Sequence, residues 1–394
     1  MMKKETIAYL IFTACLLYII SPWFFARKLF FNELISLTGF LVLAYKRFRI
    51  SNDPISISII LLLLWTAFHG LISIFRMDSI YYYLRNLVIA YSVMAFFIGF
   101  YCLPYLANYL KKIRSLLRLY IGIFILIRLP RYLFERFGMA VLFPALFKKA
   151  SYKWMPHILV ALNIVYGIVY DAFTILILSG FYILLFLSPG YKFFLRFVFV
   201  CVLAFSIIFI YLQPNLSLIS NRYSPYHTAG IYDVVNSHPL LSIDGNNTWR
   251  LVLWKQIIVD DFPGNLFGFG FGTPVLQYYP VEDVQKIHSL PYVLGAHNSF
   301  VYLFGRLGIV YLFLAGLIYL VIVKEYFEYK RYYVENNQEL IFLSFFAISI
   351  IALFNTVMES PVYAAVYWLI LGFTARCIAD RKRSRSKNED IIHT

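Results

Sequence analysis

Long apolar stretches separated by short polar segments make up most of the chain, and one long polar interval, from Gln213 to Asn298, interrupts this pattern. An apolar stretch of about 20 residues matches the hydrocarbon core of a bilayer when it is helical. The repeated stretches therefore predict an all-α, polytopic integral membrane protein with about twelve transmembrane helices and one large extracytoplasmic loop. The alternating pattern of an outer-membrane β-barrel does not describe them. The predicted spans are Ile7–Phe24, Leu29–Tyr45, Ile55–Phe75, Asn86–Tyr109, Ser115–Leu129, Phe134–Phe147, Trp154–Val169, Ala172–Leu187, Phe194–Leu212, Asn298–Val323, Leu340–Val357 and Val362–Ile378.

This pattern divides the chain into four parts. Residues 1–212 form the N-terminal transmembrane helices and residues 213–297 form the large loop. Residues 298–380 form the C-terminal transmembrane helices, and residues 381–394 form a basic tail. Proline residues shorten several spans between 134 and 187, so kinked or partial helices are predicted there.

Composition supports a membrane protein, since 61% of the 394 residues are hydrophobic and only 14% are charged. The formal net charge is +15. Nucleic-acid binding is excluded because most of the 35 lysines and arginines lie in short segments between the spans, such as Lys46–Arg49 and Lys111–Arg114. By the positive-inside rule both termini are cytoplasmic and the large loop lies outside. The N-terminus lacks a cleavage site and reads as an uncleaved first span. The four cysteines lie in apolar runs, which indicates neither disulfides nor a metal site.

Arginines on the outer side are unusual under this rule. Arg222 and Arg250 are two of them, and both lie in the large loop. One interpretation is contact with lipid headgroups. The other is an anionic substrate, because the planar guanidinium suits a phosphate or diphosphate.

A helix is predicted from Trp249 to Phe262 because apolar residues recur there at helical spacing after Asn246-Asn247-Thr248, which offers N-cap oxygens. Arg250 and Trp254 are four residues apart and could stack. The structural interpretation is an interfacial helix that lies on the outer leaflet, which would still leave Arg250 at headgroup level.

Glycines follow this helix at positions 264, 268, 270 and 272. A glycine series can bring backbone N–H groups to a phosphate, but no strand precedes it and no Lys-Ser/Thr pair follows it. A tight connector is therefore favoured over a phosphate-binding loop.

His297 and Asn298 open the tenth span at its outer end. A neutral imidazole near pH 7 can act as a general base toward a sugar hydroxyl, although a histidine at the end of a span is often only a solvated residue. Asn298 could orient a partner. Arg306 lies about 13 Å farther along the helix, facing away from His297, so it serves packing or a second site.

Two acids lie at outer positions. Glu359 is in the short turn between the last two spans, where a solvated turn residue or an ion pair with an outer arginine is favoured over a catalytic role. Asp171, next to Tyr170, starts the eighth span.

Together these residues resemble the O-antigen ligase and O-antigen polymerase family of bacterial envelope glycosyltransferases. The resemblance rests on Arg250-x-x-x-Trp254 with the following Pro263, Gly268 and Gly270, on His297-Asn298 with Gly305 and Gly308, and on the many-span layout with a polar outer start at Tyr170–Thr174. The motif-bearing part covers roughly Asp171 to Gly308.

The resemblance implies a metal-independent enzyme of the GT-C kind without a cofactor. Its donor would be an oligosaccharide on undecaprenyl diphosphate, used at the outer face of the inner membrane among membrane lipids, and a chain-length regulator protein is an implied partner. By the same resemblance His297 would be the catalytic base, and Arg250 and Arg222 would bind the diphosphate. Glu359 is a second catalytic candidate, which the resemblance does not supply. Asn298, Trp254, Arg306 and Asp171 would support the site.

The acceptor stays open between two types. A ligase uses lipid A-core, whereas a polymerase uses a second lipid-linked glycan. Polymerase is slightly favoured because Arg306 and the aromatic-rich loop depart from the ligase-like pattern. The eighth span also begins with Tyr170-Asp171 in place of the family's usual Ser-Arg, which argues against carrying over a second catalytic arginine. The competing hypothesis is a lipid-linked oligosaccharide flippase or polysaccharide exporter, supported by His69 in the third span and by the broken region Phe134–Leu187. The long outer loop with its clustered Arg, Trp and His residues argues against it.

Overall fold

The structure is a computed structural model. It describes residues 31–46, 52–78, 80–105, 190–222, 250–251, 253–273, 275, 296–336 and 338–392, with scattered positions between 160 and 184. Within these residues all regular structure is helical, which confirms the all-α prediction for this part of the chain.

Seven predicted spans coincide with helices, and two further short helices were not predicted as spans. The early helices are α1 (Phe31–Tyr45), α2 (Pro54–Ile74), the short α3 (Ile80–Asn86) and α4 (Val88–Ser92) with residues 95–105 after them, and α5 (Tyr191–Arg222). The later ones are α6 (Ser299–Glu328), the short α7 (Lys330–Glu335), α8 (Glu339–Phe354) and α9 (Pro361–Ile392). The first, fifth and sixth predicted spans lie outside the described residues, and the seventh and eighth are described only at scattered positions.

Four helical segments are long and apolar enough to cross a membrane: Pro54–Ile74, Tyr83–Tyr105, Tyr191–Gln213 and Ser299–Glu328. These lengths exceed the 17 residues or so that a bilayer core requires. The chain is therefore a membrane protein by the length and composition of its helices. The prediction placed the end of the ninth span at Leu212, but α5 continues as a helix through Pro214 to Arg222.

The chain forms two compact units. The first contains Met1–Leu61, Tyr91–Tyr191 and Leu317–Thr394, and the second contains Leu62–Ala90 and Lys192–Gly316. In the first unit, residues 95–105 approach α9 closely at Gly99 and Gly372. A methyl group on Gly372 would lie 2.1 Å from the carbonyl oxygen of Phe96, so only glycine permits this approach.

A buried ion pair ties α6 to α9 within the first unit. Arg381 pairs with Glu325, and its guanidinium lies 3.6 Å from the centre of the Tyr329 ring. Tyr333 of α7 donates a hydrogen bond of 2.8 Å to the same glutamate. Arg381 and Glu325 are each 7% exposed, so each charge is stabilised by the other instead of by water.

Candidate functional site

The second unit brings Arg250 and His297 together. Arg250 lies in the described helical residues 250–255, and His297 immediately precedes Asn298 and α6. Burial and, as the smaller cause, the charge of Arg250 together lower the pKa of the His297 imidazole to about 4. Two residues that are distant in sequence, and that the sequence predicted to share a site, therefore interact electrostatically.

Trp254 connects the segments that carry these two residues. Its indole N–H donates a hydrogen bond of 2.7 Å to the carbonyl of Ala296, the residue before His297. Its ring lies 6.1 Å from that of Phe205 in α5. The side chains from Leu253 to Ile257 are buried, whereas Ile258 and Phe262 are exposed, so the central part of this segment packs inside the unit.

The helix ends in an irregular turn. The backbone widens into a π-helical turn at Gln256–Asp260 and leaves helical geometry after Asp261. Lys255 pairs with Asp260 at 2.5 Å. Burial, together with the charge of Asp260, raises the pKa of the Asp261 carboxyl to about 6. The predicted helix is thus confirmed as far as Asp260, and its last predicted residues form a turn.

His297 has a strained backbone. Its φ of 51° lies in the left-handed region, which costs a residue with a side chain about 1–2 kcal/mol. Strain of this kind persists only where surrounding contacts fix it, and it clusters at functional positions. The side-chain oxygen of Asn298 accepts hydrogen bonds from the backbone N–H groups of Phe300 and Val301 at 3.0 and 3.1 Å, so Asn298 is the N-cap of α6.

The pair combines a fixed cation with a neutral base. With a pKa well below 7, the imidazole of His297 is uncharged at neutral pH and carries a lone pair on one ring nitrogen. The guanidinium of Arg250 stays positive at any working pH. This arrangement suits a reaction in which an anion departs while a hydroxyl loses its proton. In the part of the chain that the structure describes, no group of three or more His, Cys, Asp or Glu residues could hold a metal ion.

The glycine loop, residues 264–273, is a connector whose backbone amides donate hydrogen bonds to other groups of the protein. The N–H of Gly268 bonds to Asn265, that of Phe269 to Gly305 and that of Gly270 to Arg306, each at 2.9 Å. Gly268 has a φ of 88°, and a methyl group there would lie 2.3 Å from the carbonyl oxygen of Arg306. These amides are committed to the protein and do not form a phosphate cradle, in agreement with the predicted connector.

Helix α6 is interrupted at Gly308, where φ is 70° and ψ is −161°. The N–H of Ile309 bonds to Leu266 of the glycine loop at 2.8 Å, outside the helix. The carbonyls of Gly305 and Arg306 accept the loop amides, and the carbonyl of Leu307 accepts the indole N–H of Trp65 in α2 at 2.7 Å. The break is therefore closed by partners from other segments, as buried backbone requires.

Arg306 is fully buried beside this break. Its guanidinium donates to the carbonyl of Gly270 at 2.9 Å, to the carbonyl of Thr273, and to the hydroxyl of Tyr302 at 2.8 Å. The same group lies 5.0 Å from the centre of the Tyr302 ring. Arg306 thus acts in packing, one of the two roles the sequence left open, and it holds the glycine loop against α6.

Three other predicted site residues, Glu359, Arg222 and Asp171, come from other parts of the chain. Glu359 belongs to the first unit, in the turn between α8 and α9, where its Oε1 atom is shielded from solvent. Arg222 ends α5, and its side chain is outside the described part of the structure, as is the whole of Asp171.

Several residues that bind the glycine loop and α6 were not identified from the sequence. Asn86 donates a hydrogen bond of 3.1 Å to the carbonyl of Phe271 and accepts one of 3.1 Å from Tyr302. The hydroxyl of Ser73 accepts the N–H of Phe271 at 2.8 Å. These residues lie in apolar helices far from the loop in sequence, and nothing local marks their partners.

Comparisons of the chain with protein-family models, with curated proteins and with solved structures gave no match.

Proposed function

We propose that this protein is a membrane glycosyltransferase that uses a lipid-linked oligosaccharide donor. The observation that carries the proposal is the hydrogen bond of Trp254 to Ala296, which joins the segment of Arg250 to that of His297, whose imidazole is kept neutral and held in a strained backbone conformation. The resemblance to the O-antigen ligase and polymerase family supports the same function. The helices that are long and apolar enough to span a membrane suit a lipid-linked donor.

The chemistry is a single displacement. A hydroxyl oxygen of the acceptor sugar attacks the anomeric carbon of the donor, and the bond from that carbon to the diphosphate oxygen breaks. The undecaprenyl diphosphate leaves with the bonding electron pair, and Arg250 stabilises its charge. His297 takes the hydroxyl proton as general base. Neither step requires a group beyond the protein and its two substrates.

Donor binding would also prepare the base. A general base works best when its pKa is near the operating pH. The pKa of His297 is held near 4 by burial and then by Arg250. A bound diphosphate places negative charge beside Arg250, which offsets the repulsion and raises the pKa of the imidazole. The base is then strongest when the donor is in place.

The finer assignment follows the resemblance. We place the protein in the bacterial inner membrane with about twelve spans in a GT-C arrangement, both termini in the cytoplasm and residues 213–297 outside. Polymerase is favoured over ligase for the reasons given by the sequence. Glu359, Arg222 and Asp171 remain proposed members of the site.

A flippase or exporter is the second candidate, and the interruption of α6 favours it. Transporters place broken helices and ionisable residues within the membrane. His69 in α2 is buried, and its Nε2 atom has no hydrogen-bond partner among the described residues. However, the carbonyls at the break already accept protein donors, which leaves the enzyme better supported than an ion or substrate pathway.

The deciding experiment uses purified protein with undecaprenyl-diphosphate oligosaccharide, with and without lipid A-core, and products resolved on a gel. A ladder from the donor alone identifies a polymerase, and product only with lipid A-core identifies a ligase. Movement of the donor across liposomes without any transfer would replace the enzyme by the transporter.

Matched variants test the site. His297→Asn removes the base but tolerates the left-handed backbone, and Arg250→Gln removes the charge. Both should abolish transfer, whereas Arg331→Gln, at an exposed ion pair, should not. Full activity of His297→Asn would remove His297 from the mechanism.

A further inference from the structure

The break in α6 leaves the orientation of its first segment to contacts outside the helix. Residues 299–307 begin directly after His297 and Asn298, so any rotation of this segment moves the base. An unbroken helix would hold such a segment by its own hydrogen bonds. Here Ile309 bonds to Leu266, and the segment is held through the glycine loop and Trp65.

A closed ring of buried hydrogen bonds supplies that hold. Arg306 donates to Gly270 at 2.9 Å and to the hydroxyl of Tyr302 at 2.8 Å. Tyr302 donates to Asn86 at 3.1 Å, and Asn86 donates to Phe271 at 3.1 Å, which returns the ring to the glycine loop. We call the three side chains of Arg306, Tyr302 and Asn86 the arginine clamp.

The chemistry of arginine suits this place. One guanidinium reaches two carbonyls and a hydroxyl and also lies over the Tyr302 ring. A lysine has donors on a single nitrogen and cannot span these acceptors together. Because Arg306 is fully buried, its own contacts are with the protein, and an effect on the reaction would act through another residue.

We infer that the arginine clamp is a positioning device for His297, which fixes the first segment of α6 and so directs the imidazole at the acceptor hydroxyl. This inference rests on the proposed function for its catalytic meaning, but the position of residue 297 can be measured without any reaction. Arg306 and Tyr302 are positioning residues in this scheme, whereas Arg250 is the residue that meets the diphosphate.

The first test measures position alone. In a variant with the four native cysteines replaced by alanine, His297→Cys provides a thiol for a membrane-impermeant maleimide. Tyr302→Phe removes one hydroxyl and keeps the ring, so it opens the clamp with the least disturbance of packing. The clamp predicts a several-fold change in labelling rate with Tyr302→Phe and with Arg306→Lys, and none with the exposed Arg331→Met control.

The second test measures transfer. Tyr302→Phe should lower kcat about tenfold, equivalent to 1.4 kcal/mol, and leave KM for the lipid-linked donor unchanged because Arg250 is intact. Arg306→Lys should retain more activity than Arg306→Met. A loss confined to the amount of folded protein, with kcat per folded molecule unchanged in Tyr302→Phe, would overturn the positioning role.

The two failures are distinguishable. Labelling that responds to the clamp in a protein that transfers no sugar would sink the proposed function and retain the positioning of residue 297. Labelling that ignores both clamp variants in an active enzyme would overturn the clamp and retain the proposed function.

Discussion

The pH dependence of stability tests the environment of His297 directly. Its pKa is about 4 in the folded protein, compared with 6.5 for an ordinary imidazole. As the pH falls below 6.5, His297 becomes protonated in the unfolded chain, whereas in the folded protein it stays neutral until about pH 4. The unfolded state therefore binds more protons across this window, and stability must fall as the pH falls. Above about pH 6.5 the contribution of His297 is constant.

The size of this effect follows from the same two values. A difference between 6.5 and about 4 corresponds to about 3 kcal/mol at 1.36 kcal/mol per pH unit. This is an upper limit because His297 is partly exposed and solvent screens part of the interaction. His297→Asn is the matched control, since asparagine does not titrate and tolerates the left-handed conformation.

The assay is chemical unfolding of the purified protein in mixed micelles at pH 4, 5, 6, 7 and 8, followed by tryptophan fluorescence. The free energy of unfolding of the wild type relative to His297→Asn should decline from pH 7 to pH 4 by up to about 3 kcal/mol. The decline should be smaller in an Arg250→Gln background, because only the effect of burial remains. A difference that is flat with pH, or a decline that Arg250→Gln leaves unchanged, would refute the interaction of Arg250 with His297.

Three further predictions concern other parts of the structure. Arg381→Met should destabilise the protein by about 3–5 kcal/mol because it leaves Glu325 buried without its partner. Arg331→Met, at an exposed ion pair, should change stability by less than about 0.5 kcal/mol. Thermal unfolding in detergent compares the two variants, and equal effects would contradict the burial argument. Asp261→Asn should be as stable as the wild type at pH 4 and more stable at pH 7. The pKa of this carboxyl is raised in the folded protein, so its ionisation as the pH rises above about 4 favours the unfolded chain. A variant less stable than the wild type at pH 7 would contradict this reasoning. Trp254→Phe should cost about 1–3 kcal/mol by leaving the carbonyl of Ala296 without this donor and should reduce transfer more than Phe205→Leu does, as measured by unfolding and by the gel assay.

The helices were predictable because their signals are local. Each bilayer-length apolar run is written in consecutive residues, and the predicted spans agree with α2, α6 and α8 within a few residues at most ends. The ninth span, predicted to end at Leu212, agrees with the apolar segment Tyr191–Gln213. The continuation of α5 as a helix to Arg222 was not predicted from the sequence. Outside the hydrocarbon core a helix needs no apolar side chains to persist.

The candidate site, like the helices, was predictable only where its signals are local. The sequence alone identified Arg250 and His297, because an arginine and a histidine stand out in an apolar protein where only chemistry or solvation explains them. It could not show that the two interact, nor that His297 is strained, since both depend on how the segment of Trp254 packs against Ala296.

Tertiary structure alone decided the role of Arg306 and the closure of the α6 break. The partners of this region, Trp65, Asn86 and Gly270, come from three segments that are remote from each other in sequence. No periodicity or spacing records such contacts, because each depends on loops and helices meeting in space. The sequence by itself therefore determined the membrane class, the helices of seven predicted spans and the candidate residues. Folding decided which of them meet, because buried polar groups must find partners wherever the packed chain provides them.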